Sequence, residues 1–177
     1  KVGLDPKQPP QTWWEVQKAA GDLYDAGQKC PLTSSRFSWV HVENVSSQHG
    51  EPIVAQVGRA DKLAVNAMVN VKHIALLSSW YKSYYFHYFG PASEGDARFA
   101  SGECAMLTGS SDALARFARE AKFEVGVTSL PYYDDVCDAH ECRRDMRCAE
   151  QHEYPHEVPC SAGRHTAYRM QFDTFVA

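Results

Sequence analysis

Apolar residues follow two periods along this chain. Trp13, Val16, Ala20 and Leu23 recur at helical spacing. They follow a Thr12-Trp13-Trp14-Glu15 start, where Thr12 and Glu15 can satisfy each other's free backbone donors as a capping box, and Gly27 is placed to end the helix. Gln28–Leu32 reads as a short strand or its approach. Arg36–Gln48 fits both periods: Phe37, Val40 and Val45 are roughly helical, while Trp39-Val40-His41-Val42 alternates. Val71–Tyr81 predicts an amphipathic helix with Val71, Ile74, Leu77 and Tyr81 on one side. Glu94–Ala100 is a short polar lead-in with helical character.

The most ordered pattern is Phe99–Tyr133. Cys104–Leu107 suits a buried strand, and Gly109-Ser110-Ser111-Asp112 a turn. Leu114, Phe117, Ala118 and Ala121 return at helical spacing, then Phe123, Val125 and Val127 alternate as a strand does before a loop that ends in proline. The serines have two readings. Either oxygen can accept from a free N–H at the helix start, which is capping alone. The same N–H groups, the helix dipole and the hydroxyls can instead face an anion.

Composition narrows the function classes. The chain has 177 residues, enough for one domain with a core, a formal charge of −4 and a pI near 6.1. Arg143, Arg144 and Arg147 are interleaved with acidic residues, so no nucleic-acid partner is implied. No run reaches the length of a membrane span, and no leader sequence is visible. Trp80–Phe89 is dense in aromatic residues, which suits a core, an interlobe surface or a sugar platform. Left exposed, those rings would favour self-association.

From Cys137 the character changes. Residues 137–177 contain no Leu, Ile or Trp, but four cysteines and four histidines. A segment so poor in aliphatics buries little and is expected to be loose. Cys137, Cys142, Cys148, His152 and His156 are candidate zinc ligands by residue type. Pro155 argues against a helix carrying both histidines, and the cysteine spacings miss the paired C-x-x-C pattern.

Several motifs occur in a family's order: KVGLDPKQPPQTW at the start, WVHVEN from Trp39, VKHIALL from Val71, GECAM before the two serines and AKFEVGV after them. Together they resemble the glycerol-3-phosphate-binding proteins of ABC importers, which are bilobal extracytoplasmic solute receptors. The resemblance runs, with interruptions, from Lys1 to about Val136; VAQVGRADKLAVNAMVN, within Glu51–Asn70, departs from it. It implies an α/β fold, a partial lobe of a periplasmic-binding-protein-like receptor over 1–136, with 137–177 as a Cys/His-rich tail unlike the family. The chain would then be a truncated central piece, and the tail a shifted frame, a fusion or real divergence. The resemblance makes Arg36–Gln48 helical.

The same likeness implies a function without chemistry. Trp13, Trp39, Ser110 and Ser111 would contact a small phosphate ester, glycerol 3-phosphate or a glycerophosphodiester. The protein would be periplasmic, would hand its ligand to a membrane permease, and would need no cofactor. Cys30 and Cys104 fall where some of these receptors carry cysteines, which implies a Cys30–Cys104 bridge; the alternative is two buried thiols. Two other classes remain open. An enzyme would have to use a tail thiol such as Cys137 with His140, or a tail metal, because Gly109-Ser110-Ser111-Asp112 lacks the second glycine of a nucleophile elbow. A ligand-free interaction protein would use the aromatic run.

Overall fold

The computed structural model describes residues 8–135 and the backbone of residues 173–176. The first helix, α1 (Trp13–Asp25), starts as its sequence dictates: Glu15 N donates to Thr12 Oγ1 at 3.2 Å, and Thr12 N donates to Glu15 Oε2 at 3.1 Å. Gly27, at φ 90°, ends it, with Gly27 N donating to Tyr24 O and Gln28 N to Leu23 O. The face it buries carries Trp13, Val16, Ala19 and Ala20.

Five strands form the main sheet: β1 (Cys30–Ser34), β4 (Phe86–His87), β5 (Cys104–Thr108), β6 (Gly126–Ser129) and β7 (Asp173–Val176), in the order β4-β1-β5-β7-β6. β4 and β5 run parallel to β1 on either side of it, and β7 is antiparallel to both β5 and β6. The fold is therefore α/β. β1 and β5 are buried along nearly their whole length, as parallel strands covered on both faces are. Cys30 and Cys104 are register partners at the starts of these two strands and are joined in a disulfide. The end of the tail differs from the expectation of a loose segment, since residues 173–176 add a strand to the sheet. Val136 and the tail up to residue 172 lie outside the described residues, and with them the candidate zinc ligands Cys137, Cys142, Cys148, His152 and His156.

Between β1 and β4 the chain makes a long excursion. Of the expected helix over Arg36–Gln48, all but Arg36 is helical: residues 37–38 lead into a π-helix (Trp39–Asn44) that runs on into the single turn of α2 (Val45–Gln48). The divergent segment after Glu51 makes a two-stranded antiparallel hairpin, β2 (Val54–Val57) and β3 (Ala60–Leu63). Then α3 (Met68–Lys82) returns to the sheet.

Here the hydrophobic pattern misleads. The expected inner face held Val71, Ile74, Leu77 and Tyr81, yet Val71 is 54% exposed, Ile74 39% and Tyr81 59%. The buried face of α3 carries Val69, Asn70, His73, Leu77 and Trp80. Two polar residues can face inward because each is satisfied there. Asn70 Nδ2 donates to Ser46 Oγ at 2.8 Å and to the Val65 carbonyl at 3.2 Å, and His73 bonds at both ring nitrogens. Val71 and Ile74 instead line an open apolar groove with Val42, Ile53, Leu63 and Val65.

The aromatic run is divided rather than exposed as a block. Trp80 and Phe86 are buried in the main core, Tyr85 packs against it, and Tyr81, Tyr84 and Tyr88 face solvent. A second, smaller core gathers Phe99, Ala100, Leu107 and Phe117 between α4 (Glu94–Ala100), β5 and α5 (Leu114–Glu120).

The Cys30–Cys104 bridge closes a loop across 74 positions of sequence, which restricts the unfolded chain strongly. The double variant Cys30→Ser, Cys104→Ser should be less stable than the oxidised protein by about 2–5 kcal/mol. Urea unfolding of the oxidised protein and the double variant measures this directly; equal midpoints would mean the bridge contributes nothing.

Candidate functional site

β1 and β5 lie side by side, and the chain leaves their carboxyl ends in opposite directions. After β1 it travels to β4 on one side; after β5 it travels to β6 on the other. In open α/β sheets such a divergence leaves a crevice beyond the strand ends, where ligands bind. The two exits are tied together. Ser35 N donates to the Thr108 carbonyl at 2.9 Å, Ser34 Oγ donates to the same carbonyl at 3.2 Å, and Arg36 Nη2 donates to Asp112 Oδ2 at 3.0 Å. The start of α4 closes the floor so tightly that a Cβ at Gly95 would sit 2.4 Å from the Ser34 carbonyl oxygen.

Three of the four expected ligand residues belong to these exits. Trp39 opens the π-helix after β1 and is 37% exposed. Ser110 and Ser111 follow β5, the first half-buried and the second exposed. The helix start differs from the expected one. Ser111–Ala113 is a 3₁₀ turn leading into α5, and Ser110 stands before it in extended conformation with no side-chain cap bond. Trp13 lies elsewhere. It is 0% exposed in the main core, its ring 4.5 Å from the His73 ring and packed by Trp80 and Tyr133. This is the position of a core residue at a helix start, and in this conformation it presents no face to a ligand.

Beneath the strand ends runs a buried polar chain. His41 Nε2 meets Thr108 Oγ1 at 2.9 Å, His41 Nδ1 meets His73 Nε2 at 2.8 Å, and His73 Nδ1 meets the Tyr133 hydroxyl at 2.9 Å. One proton arrangement satisfies every atom. Tyr133 donates to His73, His73 to His41, His41 to Thr108, and Thr108 to the Thr33 carbonyl at 3.5 Å, with both imidazoles neutral. Burial drives this neutrality. It holds the His41 pKa well below its ordinary value, with His73 adding to the effect, and lowers His73 to about 3, helped by His49. Burial likewise raises the Tyr133 pKa, so its proton stays in the chain.

Sequence reasoning missed His41, His73 and Tyr133 as partners, although all three lie in segments it read, because no spacing links positions on a π-helix, an α-helix and a loop. It also missed the polar atoms around the crevice floor. Ser35 Oγ and Asp96 Oδ1 are buried without a hydrogen-bond partner among the described residues, while Asp96 Oδ2 pairs with Arg116 at 2.5 Å. Among the described residues, no three His, Cys, Asp or Glu side chains converge as metal ligands.

Diverging exits at the carboxyl ends of an open α/β sheet mark where such sheets bind ligands, and known sequences say what this chain is similar to. The chain is 41% identical over 143 residues to the sn-glycerol-3-phosphate-binding periplasmic protein UgpB of Yersinia enterocolitica, a match that covers 78% of this chain and 33% of that one. It is 40% identical over 140 residues to the protein of the same name from Pectobacterium atrosepticum, and 40% over 143 residues to that of Escherichia coli O1:K1. Over the matched stretch this chain is homologous to part of these sn-glycerol-3-phosphate-binding periplasmic proteins. It spans about a third of the length of these curated relatives. No family model matches it. The relatives are named for binding, not for catalysis.

The neutral histidine pair makes stability depend on pH in a defined direction. Unfolded histidine titrates near 6.5, and folded His73 near 3, so between these values the unfolded chain takes up protons that the folded chain refuses. Stability is therefore full above pH 6.5 and falls as pH drops. Between pH 7 and pH 5 the loss from His73 should be about 2 kcal/mol, with His41 acting in the same direction, before most carboxylates titrate. Urea midpoints at pH 7 and pH 5 check this, and equal midpoints would be incompatible with a neutral buried pair.

Proposed function

We propose that this chain forms a solute-recognising part of a periplasmic receptor for glycerol 3-phosphate or a related glycerophosphodiester, serving an ABC importer. The observation that carries this reading is the joining of two strand exits: the exit from β1 that leads to Trp39 and the exit from β5 that bears Ser110 and Ser111 are tied together by Ser35–Thr108 and Arg36–Asp112. The names of the relatives supply the ligand class. Residues 1–136 make up most of the receptor-like part, and residues 173–176 add β7 to its sheet.

The mechanism is binding without bond making. Ser110 and Ser111 donate hydroxyls toward phosphate or glycerol oxygens, and the half-open ring of Trp39 covers the carbon skeleton. Trp13 acts from below, packing on His73 in the core under the crevice. In the complete receptor a second lobe closes over the ligand, and the loaded form docks on the membrane permease. No cofactor and no catalytic step belong to this function.

Calorimetry with glycerol 3-phosphate, against glycerol and inorganic phosphate as controls, tests the reading. Saturable binding of the phosphate ester is expected. Ser110→Ala should weaken it about tenfold, because a hydrogen bond to a charged group contributes about 1.5 kcal/mol or more. No heat from the phosphate ester in a folded sample would defeat the proposal; if about one zinc per chain were found in that sample, the function would move to the tail.

A further inference from the structure

We propose that Arg36 is the cationic contact for the ligand's phosphate, and that Asp112 occupies its guanidinium until the ligand arrives. The inference rests on the phosphate-ester reading above and deepens it by naming the residue that would select for charge.

Three observations converge on Arg36. It sits at the exit from β1, one residue after Ser35, whose backbone N–H is fixed to the Thr108 carbonyl of the neighbouring strand. Its backbone is left-handed, at φ 52°, a conformation that L residues seldom hold and that glycine would adopt more easily. The Arg36 N–H donates to the Ala92 carbonyl at 2.6 Å, so the turn is pinned and the side chain leaves it in a set direction. A strained non-glycine backbone held by its surroundings is a mark of functional positions.

The second observation is where the guanidinium goes. It reaches Asp112, two residues after Ser110 and next to Ser111, at 3.0 Å. The cation therefore already lies at the exit that carries both candidate hydroxyls. Both members are half-exposed, with side chains 53% and 62% accessible, so this is a solvated, weak and exchangeable pair.

The third concerns the other charges nearby. The buried carboxylate of Asp96 is matched by Arg116, which leaves Arg116 engaged. Arg36 is the arginine at the β1 and β5 exits whose counter-ion is exposed and replaceable. A phosphate monoester carries close to two negative charges at neutral pH and offers several oxygens to the planar guanidinium fork, so it competes well with a single carboxylate. Neutral glycerol offers no such exchange. The site would thus discriminate by charge at Arg36 and by shape and hydroxyls at Trp39, Ser110 and Ser111.

Two variants with opposite expected effects test the inference by calorimetry on the full chain with sn-glycerol 3-phosphate. Arg36→Gln should weaken binding tenfold or more, and Arg36→Lys should recover part of that loss, because both keep a side chain at the same backbone conformation. Asp112→Asn, which frees the guanidinium, should tighten binding severalfold and steepen its dependence on salt. Wild-type affinity in Arg36→Gln would overturn the role of Arg36 while leaving the receptor reading intact. No binding by the folded wild-type protein would overturn both. If Arg36→Gln fails to fold, judged by circular dichroism, Asp112→Asn decides: tightening supports the competition, and unchanged or weaker binding refutes it.

Discussion

The structure depends on a line of hydrogen bonds that never meets water. His41 and His73 touch each other ring nitrogen to ring nitrogen, and their outer nitrogens hold Thr108 at one end and Tyr133 at the other. Four separate pieces of chain are fixed by this line: the π-helix, α3, the last residue of β5, and the loop that follows β6. Each buried polar atom would be costly alone, but in this arrangement each has a partner. The π-helix has a wider turn than an α-helix, and its buried residues include both Val40 and His41. The crevice at the strand ends rests on this layer, so the exits from β1 and β5 are held by the core and not by their own loop contacts alone.

Much of the fold was legible because local chemistry and global position agree. The Thr12–Glu15 box, the apolar stripe behind it and Gly27 specify α1 almost completely. The strand at Cys104 and the helix from Leu114 were readable by period, whereas β6 begins only at Gly126, past Phe123 and Val125, which pack against the second core; the Cys30–Cys104 bridge followed from family likeness and now appears between register partners. The face of α3 was not legible. Hydrophobic periodicity assumes that polar residues look outward, and Asn70 and His73 break that assumption because Ser46, Val65, His41 and Tyr133 complete them inside. Such partners are remote in sequence, and no window along the chain contains them.

The candidate site was legible in part for a related reason. The likeness named Trp39, Ser110 and Ser111 as candidates, and the pairing of β1 with β5 brings the segments that carry them to one end of the sheet. Trp13 was drawn toward the ligand by its motif, whereas its side chain is sealed against His73 and Trp80. A tryptophan at the first position of a buried helix serves the core by default, and sequence alone cannot separate that from a ring in a cleft. The arginine and aspartate of the β1 and β5 exits, Arg36 and Asp112, gave no signal in sequence, being 76 positions apart. Only the parallel pairing of β1 with β5 brings their turns together.

The placement of the disulfide has a consequence for how this scaffold can change. Cys30 and Cys104 clamp the amino-terminal ends of β1 and β5, and the crevice lies past Ser34 and Thr108 at the opposite ends. Four residue steps of strand, about 13 Å, separate the two. The disulfide and the proposed ligand contacts therefore occupy different poles of the same pair of strands. Mutational drift at the recognition pole can proceed while the clamp preserves the strand register, so specificity is free to diversify on a frame whose alignment is covalently secured.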